Sequence, residues 1–185
     1  DNNYTYVFGG EESYGYLTGI HARDKDAIAA TLMIAECCVY CRKQGKSISD
    51  YLEEIFQEYG YHDEITKSLE IPGLAGKEII GKIMQNFRSE PLSQVAGKQV
   101  AKAIDYLKDT VYDAKDSEYT LPPANVLQYI LEDGSIITVR PSGTEPKIKF
   151  YFSSKGDSRH GVKDELQKLV DGVIPEVQAF IDSQQ

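Results

Sequence analysis

The sequence predicts a mixed α/β fold of the α+β kind, organised as two units. Three observations carry that prediction. A strand-like run near the N-terminus leads into two helical patterns that each close on a glycine. Two alternating runs flank an Asp133-Gly134 pair, the composition of a hairpin. Between that hairpin and a further strand lies RPSGTEPKIKFYF, residues 140–152, a small cationic loop rich in hydroxyl groups.

Residues 4–8, YTYVF, are aromatic and β-branched and read as a strand. They run into GGEESYG, residues 9–15, a polar loop punctuated by glycine. A helix follows over about 25–43, with Ile28, Leu32, Ala35 and Val39 on one face and Gly45 as its stop. Ser47 or Ser49 caps a second helix, whose apolar side is Tyr51, Leu52, Ile55, Phe56 and Tyr59. Gly60 ends it, and a domain boundary near 60–63 divides 1–60 from 61–185. Beyond it, EITKSLEI reads as a strand and GLAGKEIIGKIMQNFRSE as a helix. The pattern over 97–109 fits helix or strand equally. Residues 125–131 and 135–140 form the hairpin, and 147–153 return as a strand after the loop. A last amphipathic helix covers about 157–181, with Pro175 as the place for a bend. The cationic loop therefore joins two strands of a small sheet backed by helices.

With 41% hydrophobic and 26% charged residues in 185, the chain is globular and able to bury a core. A sequence starting at Asp1 and running at once into a strand is expected to be part of something longer. No basic stretch precedes an apolar one, and the apolar region 27–40 is interrupted by Thr31 and Glu36 and too short to span a bilayer. Cys37, Cys38 and Cys41 cluster on one predicted helix, which is no disulfide framework and suits a reducing, cytoplasmic setting. Cys37 and Cys41 lie one turn apart, but no second ligand pair accompanies them, so buried core thiols are expected instead of a metal site. A net charge of -9 disfavours nucleic acid as a partner, because the phosphate backbone needs a basic face.

Against that total, residues 140–149 hold three cations and one anion. Glycine and small hydroxyl residues let successive backbone N–H groups converge on one anion. Arg140 adds a planar fork matched to phosphate oxygens, and Ser142 and Thr144 add hydroxyls on either side of Gly143. Pro141 and Pro146 restrict the backbone, so less order is lost on binding. The loop has no base and is not a nucleotide P-loop, since GxxxxGK[ST] is absent. It reads as a clamp, with a plain turn as the alternative. In GEESYG, Glu11 and Ser13 lie two apart and in an extended segment point the same way, a pair suited to vicinal sugar hydroxyls. A solvated acidic turn is the alternative there. Lys25, between Asp24 and Asp26, reads in the first instance as a surface ion pair.

RPSGTEPKIKFY resembles the C-terminal phosphate-binding loop of the α-D-phosphohexomutase family. GEESYG resembles that family's sugar-recognition loop in the form of its phosphoglucomutase branch, and ARDKDA the basic segment that follows. The resemblance implies the last part of a third α/β domain over 1–60, then a fourth domain with a TATA-binding-protein-like fold over 61–185 and no DNA-binding role. It also implies a strand within 97–109. It further implies a longer enzyme that interconverts glucose 1-phosphate and glucose 6-phosphate through a phosphoserine and a glucose 1,6-bisphosphate intermediate, which also serves as activator. That enzyme would use Mg2+. The family's Ser-His motif and aspartate-rich metal loop do not occur in this sequence, so this piece alone is expected to be inactive, with no metal ligands of its own. By the same resemblance Arg140, Ser142, Gly143 and Thr144 hold the idle phosphate, with Lys149 and Arg23 as further phosphate candidates. Glu11 and Ser13 hold the sugar O3 and O4, and Lys25 is the candidate for proton transfer. The expected partners are a phosphosugar and the missing N-terminal domains, with neither nucleic acid nor membrane. A phosphopentomutase, phosphomannomutase or glucose-1,6-bisphosphate synthase relative, or a phosphosugar-binding module without chemistry, are the alternatives.

Overall fold

The computed structural model describes residues 6–11, 15–20, 24–73, 75–109 and 120–184, with Glu11 described by its backbone. The chain divides into two compact units, Asp1–Tyr59 and Gly60–Gln185.

In the first unit, β1 (Phe8–Glu11) pairs antiparallel with β2 (Gly15–Thr18). The glycine-punctuated stretch is thus partly strand; of the strand expected at 4–8, residues 4 and 5 lie outside the described residues, Tyr6 and Val7 are not strand, and Phe8 opens β1. Gly9 and Gly10 fit a strand there. A Cβ on Gly9 would sit 2.7 Å from the Tyr6 hydroxyl, and one on Gly10 3.1 Å from the Tyr16 ring. The two glycines let the rings lie over the strand, and the Tyr6 hydroxyl donates to the Leu17 carbonyl at 2.7 Å. Helix α1 (Ala27–Lys43) starts where the Asp26 carboxylate accepts from the Ile28 and Ala29 N–H groups at 2.8 and 3.2 Å. Its end is followed by Gly45 at φ +74°.

Two expectations fail on α1. Ile28, Leu32 and Val39 are exposed, not packed. Of the three thiols expected in a core, Cys41 is buried, Cys37 partly so and Cys38 exposed. The helix is apolar on most of its surface, and among the described residues much of that surface stays exposed. Helix α2 (Ile48–Tyr59) begins with a reciprocal cap. The Ser47 hydroxyl accepts from the Asp50 N–H at 3.1 Å, and the Asp50 carboxylate accepts from the Ser47 N–H at 2.8 Å.

The second unit is a six-stranded antiparallel sheet in the order β3-β8-β7-β6-β5-β4. Its strands are β3 (Tyr61–Glu70), β4 (Gln94–Val95), β5 (Lys98–Asp105), β6 (Leu127–Leu131), β7 (Ile136–Pro141) and β8 (Lys147–Gly156). The ambiguous stretch 97–109 is therefore strand over most of its length. It is entered by a two-residue turn at Ala96 and Gly97, both with positive φ, which makes β4–β5 a tight hairpin. The β6–β7 hairpin turns at Gly134, φ +82°. Alternation decides the faces. Leu127, Tyr129 and Leu131, with Ile137, Val139, Ile148, Phe150 and Phe152, bury into one cluster with the apolar sides of α3 (Gly76–Ser89), α4 (Arg159–Asp171) and α5 (Ile174–Ser183). The other face carries Lys147, Lys149, Tyr151, Thr138 and Arg140.

The single final helix expected over 157–181 is two helices. Gly172 and Val173 separate α4 from α5, and Pro175 occupies the first turn of α5, where its missing N–H costs nothing. A Cβ on Gly172 would lie 3.1 Å from Val95, so the break lets the chain pass close to the β4–β5 turn.

Candidate anion-binding loop

The loop 142–146 closes the β7–β8 hairpin. Antiparallel register sets Pro141 opposite Ile148 and Arg140 opposite Lys149. Within the turn, the Ser142 N–H donates to the Lys147 carbonyl and the Lys147 N–H to the Glu145 carbonyl, each at 2.8 Å. The Glu145 N–H donates to the Ser142 hydroxyl oxygen at 3.3 Å. That contact uses a lone pair, so the Ser142 hydroxyl proton is left to donate elsewhere.

The loop is also bolted to the start of α3. The Ile71 N–H donates to the Pro146 carbonyl at 2.9 Å, and Ile71 is wholly buried. Gly76 passes so close that a Cβ there would lie 2.0 Å from the Ile71 carbonyl oxygen and 3.3 Å from the Pro146 ring. Gly143 is the opposite case. It lacks a positive φ, and a Cβ on it would meet nothing within 4 Å. Neither backbone conformation nor packing asks for glycine at that position. Gly143 and Thr144 are both exposed.

The cations sort themselves by partner. Lys147 reaches the Glu145 carboxylate at 2.6 Å and lies opposite Glu70 on β3. The hydrogen bond that the ammonium donates to Glu145, with the Coulombic pull of Glu145 and Glu70, outweighs burial and raises Lys147 above its ordinary pKa. Arg140 and Lys149 have no side-chain hydrogen bond or ion pair among the described residues. They lie directly opposite each other, with Ser68 beyond Lys149 on β3. Like charges placed so oppose strand pairing unless an anion lies between or above them.

Of the residues singled out from sequence, Arg140, Ser142, Gly143, Thr144 and Lys149 thus gather at one end of one hairpin. Glu11 and Lys25 belong to the first unit. Glu11 closes β1 opposite Gly15, at the mouth of the hairpin loop. The return strand is fixed to the start of α1, since the Asp26 N–H donates to the Tyr16 carbonyl at 2.9 Å and a Cβ on Gly15 would lie 3.0 Å from the Asp26 backbone. Lys25 donates its N–H to the Asp24 carboxylate at 2.7 Å, with its ammonium 3.8 Å from the same group. Ser13 and Arg23 lie outside the described residues. Among the described residues, no three His, Cys, Asp or Glu side chains converge as a metal site would require, and no helix is long and apolar enough to cross a membrane. Sequence reading did not single out Gly76, Ile71 or the engaged state of Lys147. The first two are visible only once the end of β3 and the start of α3 meet the loop.

The fold and the loop define a class: a two-unit α+β chain whose second unit sets a helix-backed sheet behind a cationic hairpin end. The model for phosphoglucomutase/phosphomannomutase, alpha/beta/alpha domain III, matches residues 1–59, and that for the phosphoglucomutase/phosphomannomutase C-terminal domain matches residues 87–170. The chain belongs to this family. A phosphoglucomutase of Staphylococcus aureus (strain bovine RF122 / ET3-1) is 37% identical over 173 residues, covering 92% of this chain and 31% of its own length. The phosphoglucomutase of strain MSSA476 matches with the same identity and coverage. Among solved structures, the open form of the Paramecium exocytosis-sensitive phosphoprotein pp63/parafusin, a phosphoglucomutase, shares the fold with a TM-score of 0.59 at 22% identity, covering 95% of this chain and 30% of that one. The chain spans about a third of the length of these relatives.

Proposed function

We propose that this chain is the sugar- and phosphate-recognition part of a phosphoglucomutase. The full-length protein interconverts glucose 1-phosphate and glucose 6-phosphate through glucose 1,6-bisphosphate. One observation carries the reading: Arg140 and Lys149 face each other without a carboxylate partner among the described residues, beside a glycine that the fold itself does not require. A dianionic phosphate ester relieves the repulsion between the two cations. It accepts from the Arg140 fork and the Ser142 and Thr144 hydroxyls, and Gly143 allows its backbone N–H to approach closely. On this reading the loop holds whichever phosphate is not reacting. Glu11 and Ser13 hold the sugar O3 and O4, Arg23 meets substrate charge, and Lys25 assists proton transfer.

The named relatives support the hexose phosphate over other sugar esters, since they are themselves phosphoglucomutases. The described residues do not fit a magnesium site, and the sequence has no Ser-His motif. The Mg2+ ligands and the phosphoryl-carrying serine would therefore come from further polypeptide. Helix α1 supports that reading, because a helix with apolar residues on most of its surface is one that more chain covers. Activity of the full-length protein on glucose 1-phosphate, compared with mannose 1-phosphate, tests the proposal. Arg140→Ala there should lower kcat/KM by the equivalent of about 1.5–3 kcal/mol, the contribution of hydrogen bonds to a charged group. An unchanged kcat/KM in that variant removes the clamp.

A further inference from the structure

We infer that Lys147 is a positioning residue, which keeps Glu145 away from the subsite formed by Arg140 and Lys149 and so leaves that subsite open to an anion. The inference rests on the anion-clamp reading and adds a role to a cation that the clamp does not use.

Glu145 is the one anion between Arg140 and Lys149 in the sequence. It sits in the same short connection as the proposed donors, next to two cations that lack a partner among the described residues. A tethered carboxylate so placed competes with any free anion, because its effective concentration is set by the loop and not by solution. The structure shows the carboxylate engaged elsewhere. It meets Lys147 at 2.6 Å, and the Lys147 side chain is only 18% exposed, although lysine is normally a surface residue. Glu70, across from Lys147 on β3, is a second negative neighbour at the loop end of the sheet. The turn's backbone agrees, since the Glu145 carbonyl and N–H are both committed, to the Lys147 N–H and the Ser142 hydroxyl. The three cations of the loop thus divide their work. Two face outward to a ligand, and one neutralises the loop's own carboxylate.

A double-mutant cycle on the 185-residue chain tests this, with inorganic phosphate as the probe and the Gly143 and Thr144 amide signals as the NMR readout. Lys147→Met keeps the apolar stem and removes the charge. It should weaken phosphate binding about tenfold, as expected if an internal carboxylate takes the place of the ligand. Lys147→Met combined with Glu145→Gln should restore binding to within about twofold of wild type, and Glu145→Gln alone should bind at least as well as wild type. If Lys147 were itself a phosphate ligand, the double variant would stay as weak as Lys147→Met, and the inference would be wrong. Phosphate binding by Lys147→Met equal to wild type overturns it as well.

The clamp reading fails separately, if Arg140→Ala binds phosphate as wild type does or if wild type shows no phosphate response. In that last case the inference is decided without ligand. The Arg140 side-chain Nε–H signal should differ between Lys147→Met and the double variant, and not between wild type and Glu145→Gln. An Arg140 signal that is the same in Lys147→Met and the double variant means that Glu145 never reaches the subsite.

Discussion

Strand β8 and helix α1 are both apolar, and they use that character in opposite ways. On β8, every second side chain from Ile148 to Phe152 is wholly buried, against helices that cover one face of the sheet. On α1, Ile28 is 84% exposed and Leu32 61%. Full burial of such a side chain contributes about 1.5–3 kcal/mol, so β8 draws on that term repeatedly and α1 scarcely at all. The 142–146 loop therefore hangs from a unit that holds itself together. The hairpin carrying Glu11 stands on a helix whose stabilising surface is still unspent.

The largest way to break this comparison is to cut into both elements. Phe150 packs edge-on to Phe87 at 6.1 Å and stacks with Phe152 at 6.5 Å. Phe150→Ala should destabilise the second unit by about 3–5 kcal/mol, in the usual range for an aromatic removed from a core. Leu32→Ala should change stability by no more than about 0.5 kcal/mol, as expected of a surface site. Denaturant unfolding of the two variants measures both, and equal losses would mean that α1 is packed after all. A smaller loss is expected at Gly76→Ala. A methyl group there must displace the Ile71 carbonyl, at a cost of about 1–3 kcal/mol. Because Ile71 holds Pro146, phosphate binding should fall along with stability.

An ion pair gives an effect of comparable size. Arg88 donates from Nε to the Asp105 carboxylate at 2.9 Å, and the two side chains are 10% and 14% exposed. Burial pushes the Asp105 carboxyl up, but the Arg88 fork, the Leu107 N–H and the charges of Arg88 and Lys108 together hold it below its ordinary value. A carboxyl depressed in the folded state contributes stability above its unfolded pKa, near 3.9, and loses it as pH falls through the folded value. Arg88→Met should cost about 1.5–3 kcal/mol at neutral pH and flatten the loss of stability in acid. Unfolding followed from pH 7 down to about 2 reads both. An acid limb as steep as wild type would show that Asp105 is held down by something other than Arg88.

What could be read in the sequence follows the strength of local chemistry. The Ser47 cap, one of two serine candidates, and the Asp133-Gly134 hairpin are legible because each carries its own cap or turn residue, whereas the return bond from Ser47 to Asp50 is not. The β4–β5 hairpin was not, because its turn is Ala96-Gly97, and alanine with a positive φ is a conformation that sequence does not advertise. The final helix reads as one with a bend at Pro175 because the apolar period continues across Gly172, and Pro175 marks the start of α5 while the nearness of Val95 accompanies the break itself. The exposed face of α1 could not be foreseen either, since apolar period reports what a helix can bury and not what is there to bury it. In the loop, residue types suggest an anion site, but they do not separate Lys147, paired with Glu145, from Lys149, which has no carboxylate partner among the described residues. That separation depends on which side chains the β3–β8 and β7–β8 registers bring together.

The smallest expected change in stability is also the sharpest test of what the loop is for. Gly76 and Gly143 are both glycines near the hairpin end, but only Gly76 is demanded by the fold. A side chain on Gly143 meets open space at an ordinary backbone angle, so Gly143→Ala should leave unfolding within about 0.5 kcal/mol of wild type. If an anion sits where that methyl group would be, phosphate binding should still weaken several-fold, and glucose 1-phosphate binding with it. A variant that binds both as wild type does would make residues 142–146 an ordinary turn and leave Arg140 and Lys149 as the whole of the site. A variant that loses stability as Gly76→Ala does would mean that glycine serves the backbone at both positions, and the distinction between holding the loop and holding the ligand would disappear.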